Sequence, residues 1–115
     1  MSTGIKYLTL LYNYLMALMK NDKSEKLIKD HARKSMEQEL IRVLHRLELK
    51  HPMACGVILG EMLASVEKLK DAKIITSDTF HYITLLILQF TDKNYKEFNK
   101  TAKEAEKKLN FKLKD

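Results

Sequence analysis

Apolar residues recur at spacings of three and four along five stretches of the chain, the periodicity of amphipathic α-helices, with short polar turns between them. The pattern predicts helices at about residues 4–20, 24–50, 52–71, 77–91 and 95–110. In the first, Ile5, Leu8, Tyr12, Leu15 and Met19 form one stripe, and Tyr7, Leu11, Tyr14 and Leu18 form a second beside it. Two stripes are more than one flank of a bundle needs, so this helix is either central or keeps a face for a partner. Tyrosine joins apolar area to a polar tip and is favoured at interfaces, which makes Tyr7, Leu11, Tyr14 and Leu18 the expected contact face. The alternative is that the four residues complete the core.

Turn chemistry marks the other boundaries. Asp22 and Glu25 have the spacing of a capping box before the second helix, as do Asn94 and Glu97 before the fifth. The second helix is expected to bury Ile28, Ala32, Met36, Leu40, Val43 or Leu44, and Leu47. Pro52 suits the first position of the third helix, where its missing N–H has no helical partner. In that helix Gly56, Gly60 and Ala64 recur every four residues. They make a smooth strip where another helix backbone can approach closely. Thr76 can cap the fourth helix, with Ile75 and Phe80 as its hydrophobic staple. Phe80, Ile83, Leu86, Ile87 and Phe90, widened by Tyr82, Leu85 and Leu88, make the fourth helix apolar almost all round and place it at the centre with the first. The expected fold is all-α, an antiparallel bundle of four to five helices in a single domain over residues 1–115, with 110–115 a frayed tail.

Composition changes this picture only modestly. With 115 residues, 45% hydrophobic and 31% charged, three Gly and one Pro, the chain is not collagen-like, mucin-like or wholly disordered. A net charge of +6 favours acidic partners, and its excess lies towards the two ends while the middle is near neutral. One cysteine allows no internal disulfide, and with four scattered histidines it makes no zinc spacing, so a reducing, cytoplasmic setting without metal or cofactor is expected. The apolar run Tyr7–Met19, 13 residues long, is too short to span a bilayer.

Two basic clusters carry candidate chemistry. Lys93, Lys96, Lys100, Lys103 and Lys107 form a ridge opposite the apolar stripe of the fifth helix, a geometry that tracks phosphates or lies on an anionic surface. Glu97, Glu104 and Glu106 stand within reach of these lysines, so a solvated outer face is the alternative. Lys34, Arg42, His45 and Arg46 gather on the second helix as an anion site, beside Gln38, Glu39 and Glu48 that would make it an ordinary charged surface. Cys55 lies one turn into the third helix, where the dipole lowers a thiol pKa, but next to the glycine strip it reads as a core residue. No paired carboxylates, phosphate loop, dinucleotide fingerprint or Ser-His-Asp arrangement accompanies them.

Arg46-Leu47-Glu48-Leu49-Lys50-His51 resembles, over six residues, the Arg-x4-His motif of the helical HEPN ribonucleases. The resemblance implies that Arg46 binds phosphate and His51 acts as catalytic base or acid. The chain departs from that family in Leu47, where a polar residue is usual, and in ending a mid-chain helix with the motif. The expected function is therefore that of an interaction or adaptor module without catalytic activity, acting through helix faces on a protein partner or on itself. A nucleic-acid-associated accessory protein is the alternative, and a HEPN-like ribonuclease the third reading. No small-molecule substrate is indicated.

Overall fold

The computed structural model describes residues 3–22, 26–48, 50 and 52–111. Five α-helices follow one another among them: α1 Thr3–Asn21, α2 Lys26–Glu48, α3 Pro52–Asp71, α4 Ser77–Thr91 and α5 Tyr95–Lys108. Helices α1 to α4 close a ring in which each packs on its neighbours in sequence and α4 returns to α1. The short turns make these neighbours antiparallel, so the architecture is an all-α bundle. Helix α5 packs on α4 and lays its aromatic residues over α1, on the flank away from α2 and α3.

The core follows the periodicity. Leu11, Leu15 and Leu18 of α1, Val43 of α2, and Ile83, Leu86 and Ile87 of α4 are fully enclosed, with Phe98 and Ala105 closing the α5 side. Helix α4 touches three others, in keeping with an apolar pattern that runs nearly all round it. At its start Ile75 is buried, and the Thr76 hydroxyl accepts the Thr79 N–H at 3.3 Å. Asn94 caps α5 in the same way, accepting the Glu97 N–H at 3.4 Å.

Asp22 does more than its place after α1 suggests. Its buried carboxylate accepts both the N–H and the hydroxyl of Thr76, at 3.0 and 2.9 Å, and so ties the end of α1 to the start of α4. The Lys29 ammonium, itself buried, donates to the Asp22 carbonyl. Glu25, the other half of the expected capping box, lies outside the described residues. So do the Ile28 side chain and residues 112–115 of the expected tail.

Four turns end in the left-handed region: Lys50, Lys73, Lys93 and Asn110 have φ of 61°, 60°, 57° and 53°. After α3, α4 and α5 the next N–H bonds back five residues, as in Ile74 to the Leu69 carbonyl at 2.8 Å and Asn94 to the Gln89 carbonyl at 2.9 Å. Glycine adopts this conformation without strain, yet none of the four positions carries it. All three glycines of the chain lie inside helices.

Candidate interaction faces

Helix α3 shows how the two sides of one helix divide. Cys55, Ile58, Leu59, Met62 and Val66 point inward and are buried against α2 and α4. The opposite stripe holds Met53, Gly56, Val57, Gly60, Ala64 and Glu67, all exposed. Met53 is 86% exposed and Val57 61%, the two most exposed of the chain's large apolar residues among those described. A Cβ built on Gly56 or Gly60 would meet nothing within 4 Å. No other helix among the described residues uses the close approach that the glycine strip offers, because the larger residues of α3 occupy the inner phase and leave the strip to the outside.

The contact face expected on α1 has the opposite fate. Leu11 and Leu18 are fully buried, and Tyr7 and Tyr14 are half-buried beneath α5. The Tyr7 ring stacks on Tyr95 with centroids 4.0 Å apart, and Phe98 meets the rings of Tyr7 and Tyr14 edge-on at 5.5 and 6.4 Å. Both hydroxyl tips are engaged on α5: Tyr7 accepts from the Asn99 amide at 3.0 Å, and Tyr14 donates to Glu106 at 2.7 Å. The chain itself covers this face.

The two basic clusters do not come together. Lys34, Arg42, His45 and Arg46 stand on α2, with Arg46 half-buried and Arg42 held 3.0 Å from Glu39. Lys93, Lys96, Lys100, Lys103 and Lys107 are exposed along the turn before α5 and α5 itself, with Lys100 held 3.4 Å from Glu97. Helix α5 packs on α4 and α1 while α2 packs on α1 and α3, so the two groups occupy different flanks. Among the described residues they form two separate cationic patches.

The residues with candidate catalytic chemistry are placed only in part. His51 and Leu49 lie outside the described residues, which leaves Arg46 as the only chemically active member of the Arg-x4-His spacing that can be placed. The Cys55 thiol is buried and donates to the Val43 carbonyl at 3.6 Å. Burial pushes its pKa up, opposed by the weaker effects of its own backbone and the Arg46 charge, so the thiol is held in its protonated, unreactive form. A cleft of about 310 Å³ between α2 and α3 has an apolar floor of Met36, Met62 and Val66, with His31, Glu39 and Glu61 among its lining residues. Among the described residues no three His, Cys, Asp or Glu side chains gather as a metal site, and no helix is long and apolar enough to cross a membrane.

No protein-family model matches the chain, and comparison with curated proteins and with solved structures returns no match. The reading of function rests on the faces just described.

The phase of apolar residues along α3 marks the open face in the sequence. Leu69 continues the inner stripe of Cys55, Ile58, Met62 and Val66, half a turn away from Gly60 and Ala64. Met53 and Val57, apolar on the outer side, blurred that assignment.

Proposed function

We propose that this chain is a helix-face interaction module, without catalytic activity of its own, and that the outer face of α3 is its contact surface. One observation carries the reading: Gly56 and Gly60 stand in the middle of a helix with empty space over both, beside exposed Met53 and Val57. Each helical glycine costs about 1 kcal/mol relative to alanine. Neither glycine here supplies a left-handed turn, and neither admits another part of the chain among the described residues. A partner's backbone or side chains against α3 would use the space. A reducing, cytoplasmic setting accords with the single buried thiol.

Photocrosslinking in cells that express the protein tests this. A benzoylphenylalanine in place of Val57 is expected to give a discrete protein adduct, and one in place of Lys100 on α5 is expected to give none. Absence of an adduct at position 57 overturns the reading. A nucleic-acid adduct at position 100 would transfer the assignment to the lysine ridge.

A further inference from the structure

We infer that the occupant of the α3 face is a second copy of this chain, docked with its α3 antiparallel to the first about a two-fold axis between Val57 and Gly60. The inference deepens the interaction reading above and rests on it.

The exposed stripe is a seam. Met53, Val57, Gly60, Ala64, Glu67 and Asp71 follow one another at spacings of four, three, four, three and four residues, and all six are exposed. This is the 3.5-residue period by which one helix meets another along its length at a shallow crossing angle.

The seam is complementary to itself when reversed. Its first two positions, Met53 and Val57, project side chains into solvent, and its next two, Gly60 and Ala64, leave hollows. Antiparallel pairing sets Met53 over the partner's Ala64 and Val57 over the partner's Gly60, and the two-fold axis repeats both contacts. Parallel pairing would set Met53 against its own counterpart and leave glycine facing glycine across a void, forfeiting the dispersion contacts that close packing supplies.

Charge selects the same direction. Lys50 is exposed in the turn before α3, at the end where the helix dipole is positive, while Glu67 and Asp71 are exposed at the far end of the seam. Reversal brings the partner's Glu67 towards Lys50 at both ends of the contact. In a parallel pair Glu67 would instead face its own counterpart, a like-charge contact. One helix crossing buries less than the roughly 1,200 Å² of a standard interface, so the expected dimer is weak, with a Kd on the order of 10–100 μM.

Light scattering from low micromolar to millimolar protein tests the pairing, with a rise from 13.5 kDa towards twice that mass expected. Gly60→Lys is expected to stay monomeric throughout, and because none of the described residues occupies that space its thermal midpoint should not fall below that of the parent. Lys50→Glu is expected to weaken the dimer by about tenfold, and adding Glu67→Lys to restore most of the loss. Orientation is read by oxidation in a Cys55→Ala background. A mixture of Met53→Cys and Ala64→Cys chains should crosslink, and Met53→Cys alone should not, because the antiparallel register separates the two copies of position 53 by about 16 Å along the axis. A mass fixed at 13.5 kDa at millimolar concentration, or efficient crosslinking of Met53→Cys alone, overturns the inference. The photoadduct at position 57 separates the two failures: a mass other than twice the chain ends self-pairing and leaves the module reading in place, whereas no adduct ends both.

Discussion

The outer faces of α1 and α3 both exceed what the four-helix ring requires, but one is closed by the chain and the other is left open. On α1 the surplus is large and aromatic, and α5 covers it with Tyr95 stacked on Tyr7 and Phe98 between Tyr7 and Tyr14. On α3 the surplus is small and smooth, and none of the five helices among the described residues lies against it. The difference lies in how each face is read by its partner. Tyr7 and Tyr14 carry hydroxyls that need specific acceptors and donors, which Asn99 and Glu106 supply from fixed positions on α5. The α3 seam has no such polar handles in its first four positions, and shape alone selects what can lie on it.

The sharpest way to break this contrast is to strip the cover from α1. Phe98 is fully buried at the α1–α5 contact, so Phe98→Ala removes transfer free energy and leaves a cavity together, a loss of about 3–5 kcal/mol. For a domain of this size that is a large part of total stability, typically about 5–15 kcal/mol. Urea unfolding is the measurement, with dye binding to exposed apolar surface as its companion. A loss below about 1 kcal/mol would show that α5 is not an obligatory cover and would return the α1 stripe to the set of contact faces.

The opposite sign is expected on the open face. Replacing Gly56 and Gly60 together by Ala adds two methyl groups into empty space and removes the conformational freedom glycine gives the unfolded chain. The double variant should be more stable by about 1–2 kcal/mol, a rise of several degrees in Tm for a domain of this length. Thermal unfolding at low micromolar concentration, where the proposed dimer is dissociated, isolates this effect. A fall in Tm would mean that the strip is packed within the chain after all.

How much of this could be read from the residues alone depended on where the deciding contact lies. Local signals placed helix boundaries well: Pro52 starts α3, Thr76 starts α4 and Asn94 caps α5 where the turn chemistry indicates. The end of α2 was less legible, since the left-handed residue there is Lys50 and no glycine marks it. The candidate site depended on tertiary pairing. Nothing in the α1 stripe announces that Phe98, more than seventy residues away, will cover it, because an apolar face has the same pattern whether a later helix or a second molecule fills it. Asp22 illustrates the same limit, being legible as a local cap while its carboxylate bonds across the fold to Thr76.

The smallest expected effect is read by pH. Tyr82 is buried near the α4–α5 contact, and its phenol is held above the usual 10.0, first by desolvation and then by the nearby Glu104 carboxylate. Tyr12, between α1 and α2, is raised from the same value, first by its hydrogen bond to Glu37 and then by desolvation. A raised phenol means that the folded state keeps a proton which the unfolded chain has begun to lose. Its stabilising contribution is complete below about pH 10, the unfolded value, and declines as pH rises from there through the folded value. Wild type should therefore lose stability between pH 9 and 11, and Tyr82→Phe should lose less over the same interval, whatever its stability at neutral pH. Urea unfolding at the two pH values gives the comparison, and equal losses would show that the Tyr82 phenol is not held up. The seam of α3 carries no phenol, so the alkaline loss falls on the tyrosines inside the bundle, Tyr82 on α4 and Tyr12 on α1, and not on the open face.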